Sequence, residues 1–204
     1  MKPLIANSSG HIIVAVDDNN MLVDTGAART FHDEYEGVRV TDLSRMIGVP
    51  LDGVMGMDRL QGRVVSLTRT TIQLDDASPG FAGIPLAYTS GTPVVDIRIN
   101  GMPCRAALIT GATTSYVSEQ LLCTDKLTGS VDDMHPLYGR FKVDLFVNYF
   151  SISDKNYFAQ VAGLPAEFSL LSTTGVDAII GMDLLDRFNL IMDFAGNRFN
   201  LVSR

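Results

Sequence analysis

An acidic side chain at the end of an apolar run, on a turn built from a hydroxyl and a glycine, is a plausible water-activating group. Val23-Asp24-Thr25-Gly26-Ala27 has this form, preceded by Met21-Leu22. Thr25 can hydrogen-bond inward, and Gly26 bends the backbone where a Cβ would clash. Local amides and hydroxyls then fix the carboxylate for taking a proton from water. One copy alone reads better as a strand-to-turn junction without chemistry. The stretch recurs, however, as Leu108-Ile109-Thr110-Gly111-Ala112, with Ile109 in the place of the aspartate. Each copy has its own downstream partner. Gly53-Val54-Met55-Gly56-Met57-Asp58-Arg59-Leu60 follows the first, and Ala178-Ile179-Ile180-Gly181-Met182-Asp183-Leu184-Leu185 the second. A pair of motifs repeated in order points to an internal duplication.

These paired motifs resemble the aspartic peptidases of the retropepsin and pepsin kind. There Asp-Thr-Gly-Ala or -Ser is followed by two apolar residues and a glycine, and each half supplies one catalytic aspartate. The resemblance covers nearly the whole chain. It implies an all-β fold with few short helices, in two lobes related by a pseudo-twofold. It makes Asp24 the catalytic carboxylate, positioned by Thr25 and Gly26, and Ile109, Thr110 and Gly111 the degenerate partner position. Proteolysis by this fold needs two carboxylates at one water, sharing a single proton because like charges so close cannot both ionise. With Ile109 opposite, Asp24 has no acid partner. In a polar turn it is expected to ionise near the ordinary value of about 4. It could then accept a proton but not donate one, a loss of roughly 10² to 10⁴ in rate. Isoleucine would also dry the space where the water is clamped. Three readings follow. One is an inactive or impaired peptidase homologue that binds an extended peptide between its lobes. Another is an active aspartic endopeptidase in which Asp24 of two chains pair in a homodimer. The third is a structural or oligomerisation protein, since fold does not dictate function.

The surrounding elements must hold the two turns. His11 to Val16 reads as a strand, Asp17-Asp18-Asn19-Asn20 as a turn, and Met21 to Val23 as the returning strand. Thr41 or Asp42 is expected to cap a helix over Leu43 to Gly48, with Gly48 ending it. The interval between Gly26 and Gly56 leaves no room for a long hairpin, so the first lobe is expected to lack the family's flap. Gly62 to Leu74 is strand-like, and Asp75 to Gly83 is turn-rich. The boundaries read as a first lobe over 1–74, a linker over 75–92 and a second lobe over 93–204, with Ile84 to Tyr88 a strand crossing between lobes. In the second lobe, Pro93 to Ile99 and Met102 to Ile109 flank Asn100-Gly101, a type I′ hairpin signal. Thr113 or Ser115 is expected to cap a helix over Tyr116 to Leu122, and Cys123 to Leu137 reads as a polar loop. Phe141 to Ile152 and Tyr157 to Val161 form a hairpin whose turn, Ser153, Asp154, Lys155 and Asn156, is the candidate flap, an ordinary sheet hairpin being equally open. Asp58 and Asp183 read as caps of short helices. A last hairpin over Asn189 to Val202 echoes the segment after Leu60.

Composition narrows the partners. The chain has 204 residues, 46% of them hydrophobic, enough for one large domain or two small lobes. Its 18 glycines and 8 prolines suit a turn-rich β fold. The net charge of −7, without a basic run, argues against nucleic acid and anionic membranes. A peptide or protein ligand is the expected partner, with the chain a monomer or a homodimer. The N-terminus lacks an apolar signal region and no apolar stretch spans a bilayer, so the expected location is cytoplasmic. Cys104 and Cys123 make no disulfide framework. His11, His32 and His135 are isolated, without metal spacing, and His32-Asp33-Glu34 reads as a solvated loop. No phosphate-cradling glycine loop appears. No metal and no cofactor are expected.

Overall fold

The structure is a computed structural model that describes residues 4–6, 10–76, 80, 82–165 and 174–204. Most of the N-terminal segment before Gly10, and positions 77–79 and 81 of the expected linker, lie outside the described residues. Among the described residues strands dominate, with two short α-helices, in a two-lobed arrangement. No helix among the described residues is long and apolar enough to cross a membrane.

The first lobe opens with β1 (Leu4–Ala6), β2 (Ile12–Val16) and β3 (Asn19–Val23). Asp17 and Asp18 both take left-handed backbone, φ 48° and 66°, so the β2–β3 turn has two residues rather than four. That geometry matches the twist of the flanking strands, and Asn19 and Asn20 are drawn into β3. A minimal hairpin, β4 (Glu34–Tyr35) and β5 (Val38–Arg39), leads into α1 (Val40–Ile47). The helix buries Val40, Leu43 and Ile47 and ends at left-handed Gly48, φ 80°, whose N–H reaches Ser44 O at 2.9 Å. Arg39 is the N-terminal flanking residue. Thr41 and Asp42 lie within the first turn and do not cap it, and Asp42 instead pairs with Arg39 and Arg45. β6 (Gly53–Met55) then returns parallel to β3, setting Met55 beside Val23. The four strands stand in the order β1-β2-β3-β6.

After α2 (Met57–Leu60) come β7 (Val64–Leu67), β8 (Ile72–Asp75), β9 (Ile84–Pro85) and β10 (Ala87–Thr89). The second lobe follows with β11 (Thr92–Ile99), β12 (Met102–Leu108), β13 (Tyr116–Val117) and β14 (Leu127–His135). It continues with β15 (Gly139–Ile152), β16 (Lys155–Gly163), β17 (Ala178–Ile180), β18 (Phe188–Asp193) and β19 (Arg198–Ser203). Its main sheet runs β10-β11-β12-β17-β13-β16-β15-β14. A third sheet, β8-β7-β18-β19-β9, joins the halves, with Val65 opposite Met192. One buried cluster accordingly holds Val23, Leu60 and Leu67 together with Leu108, Leu190 and Phe199. Burying each such side chain is worth about 1.5–3 kcal/mol, so the lobes are held by a common core.

Two expectations from the second lobe fail. The expected helix over 116–122 is β13 followed by a short 3-10 turn at Glu119–Leu121. Tyr116 and Val117 are buried between β16 and β17, which suits an aromatic and a β-branched residue. The expected loop over 123–137 contains β14, nine residues long. It pairs only with β15 and has no fully buried position, so it carries no alternating apolar pattern to read.

Candidate functional site

Asp24 and Ile109 sit at matching ends of matching strands. The Asp24 N–H donates to Met55 O at 3.0 Å, and the Ile109 N–H to Ile180 O at 3.0 Å. Ala27 N–H closes the first turn on Asp24 O at 3.2 Å, and Ala112 N–H closes the second on Ile109 O at 3.2 Å. The two threonines lock the turns together. Thr110 N–H donates to Thr25 Oγ1 and Thr25 N–H to Thr110 Oγ1, both at 3.0 Å. Each hydroxyl then donates across the pseudo-twofold, Thr25 to Leu108 O at 2.5 Å and Thr110 to Val23 O at 2.8 Å. Both threonines are fully buried. Four hydrogen bonds thus fix the two turns face to face within one chain.

The downstream glycines play matching parts. A Cβ on Gly56 would lie 2.5 Å from the Arg29 carbonyl carbon, and one on Gly181 2.6 Å from Thr114 O. Only glycine lets the strand end pass the turn so closely. The aspartates after them were expected as helix caps, but the structure ties them elsewhere. Asp58 Oδ1 accepts from Thr30 N–H and Thr30 Oγ1, both at 2.7 Å. Asp183 accepts from Ser115 N–H at 2.9 Å and Ser115 Oγ at 2.6 Å. Both brace the segment leaving the turn, while Gly56 before α2 and Gly181 before a 3-10 turn at Met182–Asp186 stand without a side-chain cap. Burial pushes Asp183 up to about 6, against the pull of its Ser115 donors.

The Asp24 carboxyl is held from both sides. Gly26 N–H donates to its Oδ1 at 2.7 Å, and Gly111 supplies a second backbone donor. The fit is tight, since a Cβ on Gly111 would lie 2.5 Å from Asp24 Cγ. A Cβ on Gly26 would touch both Asp24 Oδ1, at 3.0 Å, and Ile109 Cγ2, at 3.1 Å, so the carboxyl and the isoleucine flank one point. The sequence-based value near 4 does not hold. Burial drives the Asp24 pKa up, and the Gly26 and Gly111 donors only partly oppose it. The turn is polar in its backbone but walled by carbon.

Two cavities meet at this carboxyl. One, about 470 Å³, runs into the first lobe past Leu22, Phe31, Tyr35, Leu43 and Val54. The other, about 390 Å³, runs into the second past Ile109, Tyr116, Phe141 and Ile179. Both include Asp24, Gly26 and Gly111, and both are covered by Met134 to Leu137. The covering element is therefore the tip of the β14–β15 hairpin. Ser153, Asp154, Lys155 and Asn156, the candidate flap, turn the other end of β15 and line neither cavity. Between Gly26 and Gly56 the described residues of the first lobe form no long hairpin, and β4–β5 is only two residues per strand. A Cβ on Gly37 at its tip would lie 3.5 Å from Leu137. The cover also reaches the first lobe through Arg140, whose guanidinium donates to Met46 O at 2.9 Å.

Residues that looked isolated converge here. His11, buried at 7% exposure, lines both cavities. His135 does too, stacked on Tyr138 with ring centres 4.7 Å apart. Asp133 enters the second cavity, accepting from the Tyr116 hydroxyl and, at 2.7 Å, from Met134 N–H. Burial lowers the His11 pKa, and Asp133 raises it in part. Burial and then the bond to Asp133 push the Tyr116 phenol up. His32 lines neither cavity, and its Nδ1 lies 3.0 Å from Asp52 O. No group of three or more His, Cys, Asp or Glu among the described residues is arranged to hold a metal ion.

No family model matches the chain, and no curated protein sequence matches it. Among solved structures it is similar to the aspartic proteinase from Irpex lacteus, at 11% identity and a TM-score of 0.55. The alignment covers 95% of this chain and 93% of that one. The likeness is one of fold, and it is to a pepsin-like proteinase rather than a retropepsin.

Proposed function

We propose that this chain is an impaired peptidase homologue that binds an extended peptide between its lobes, in a cleft whose floor is Asp24. The observation that carries the reading is the pair of apolar cavities meeting at the carboxyl beneath the β14–β15 tip. Successive side chains of an extended peptide point to opposite sides, so a strand lying across Asp24 would send neighbouring side chains into the two cavities. The two-carboxylate mechanism is lost because Ile109 occupies the partner position. The homodimeric alternative needs the face of Asp24 free for a second chain. The Thr110 turn of the same chain already fills it, and this disfavours that alternative.

Hydrogen exchange tests the binding. A pool of synthetic extended peptides rich in apolar residues should slow exchange of the Met134, His135, Leu137 and Tyr138 amides and of the Gly26 and Gly111 amides. Unchanged exchange in these segments at saturating peptide would end the reading.

A further inference from the structure

The β2–β3 ladder pairs Val16 with Asn19, Val14 with Met21 and Ile13 with Leu22. Extended two places beyond its last pair, that register brings His11 level with Asp24, on the same face. The cavities agree, since both are lined by His11 and Asp24 together. At the matching place in the second lobe, the pairing of Val94 with Ala107 sets Thr92 opposite Ile109. The acid and the imidazole therefore belong to the same lobe, and neither has a counterpart in the other. The titratable groups sharing these cavities with His11 come from several elements: Asp24 from the β3 turn, Asp133 and His135 from β14, Tyr138 from the β14–β15 turn, Tyr116 from β13, and Tyr35 and Glu36 from the β4–β5 hairpin.

We propose that His11 is the second proton-handling group of this cleft, so that Asp24 and His11 together hydrolyse the bound peptide slowly. The inference rests on the reading that an extended peptide crosses the cleft at Asp24. In the reactive arrangement Asp24 is a carboxylate and His11 an imidazolium. Water attacks the scissile carbonyl carbon while Asp24 takes one of its protons. The imidazolium gives its proton to the carbonyl oxygen, leaving a neutral gem-diol. Collapse then breaks the C–N bond. Asp24 hands its proton to the departing amine, and a gem-diol hydroxyl returns a proton to His11. One water is consumed, and both side chains end as they began. Burial favours the neutral pair over this ion pair, so the reactive form is a minority and turnover is slow. Asp133, beside the imidazole, favours its charged form.

The full-length chain is incubated between pH 3 and 9 with the synthetic peptides, and products are read by mass spectrometry. Wild type should cleave with a bell-shaped pH profile, because one extra or one missing proton on the pair stops the reaction. Asp24→Asn and His11→Gln should each lower kcat/KM by about 10²-fold or more, with KM little changed. A second background separates chemistry from folding. Ile109→Asp supplies the absent carboxylate, and there His11→Gln should cost less than about tenfold. Peptides that bind without being cut would overturn the role of His11 and leave the binding proposal standing. Cleavage that survives His11→Gln, or an equal loss in the Ile109→Asp background, would reduce His11 to a structural residue.

Discussion

The two turns at the centre of the molecule differ in one side chain and in little else. Each donates an amide N–H to a carbonyl of its parallel neighbour, closes on its own carbonyl, and trades two threonine bonds with its opposite number. Each is followed by a glycine that only a bare Cα fits, and by an aspartate bracing a Thr or Ser. Yet one turn ends in a carboxyl and the other in an isoleucine. The frame that aligns the turns is thus separable from the acid it presents. Thr25 and Thr110 keep the lobes in register whatever stands beside them. Ile109 packs with Tyr116 and Ile179 on one side and Val94 and Ala107 on the other, so its place has become part of the second lobe's core.

The largest expected effect comes from making the turns equal. Ile109→Asp should place a second carboxylate beside Asp24, because Gly26 sits between the two positions. Two carboxylates so close share one proton and can fill both acid and base roles. Cleavage of a denatured protein in the acid range should rise by about 10² to 10⁴-fold over wild type. Adding Asp24→Asn to the same chain should abolish the gain. A folded Ile109→Asp protein without acid-range cleavage would mean that the frame no longer holds catalytic geometry.

How much of this could be read beforehand depends on where each signal lies. The repeated turn and its downstream glycine are legible because each residue type answers a local steric or hydrogen-bonding demand. Asn100 and Gly101, at φ 52° and 81°, and Gly48 at φ 80° were legible for the same reason. The cover was not. β14 pairs on one side only and reads as polar loop, while the turn at 153–156 lies at the end of β15 that lines neither cavity. His11 was hidden by the length of a turn. A four-residue turn over 17–20 would put Ile13 opposite Asp24, whereas the actual two-residue turn puts His11 there. The paired left-handed aspartates, a sequence that suits a type I′ turn, were the signal that could have found it. Asp133 and Tyr116 are brought to the site by long-range pairing, which no local pattern announces.

A smaller effect tests whether the lobes are equal partners in the frame. Thr25→Ala removes the acceptor of Thr110 N–H and the donor to Leu108 O, leaving two buried groups unpaired. Thr110→Ala does the same to Thr25 N–H and Val23 O. Each should cost about 2–3 kcal/mol, a drop in Tm of roughly 5–10 °C for a chain of this size. Thermal melts should show the two losses equal. The double variant should lose less than their sum, since all four bonds belong to one network. Unequal losses would show that one lobe folds around the other's turn.

The smallest effect concerns the acid itself. Burial holds the folded Asp24 pKa above the value of about 4 expected in an unfolded chain. The folded protein therefore binds this proton more tightly than the unfolded chain does. The group's contribution to stability is fully present below about pH 4 and is lost as pH rises through the raised folded value. Asp24→Asn never acquires the charge, so melts of the two proteins should nearly coincide in acid. They should part as pH rises through the raised folded value, with the asparagine variant increasingly ahead toward neutrality. The lobe comparison gives this a control, because Ile109→Val keeps carbon at the facing position and adds no group that could bond the carboxylate, so its effect on Tm should not vary with pH over the same range. Should the wild type instead gain on Asp24→Asn with rising pH, the Gly26 and Gly111 donors outweigh burial, and Asp24 is an ordinary ionised carboxylate despite its carbon walls.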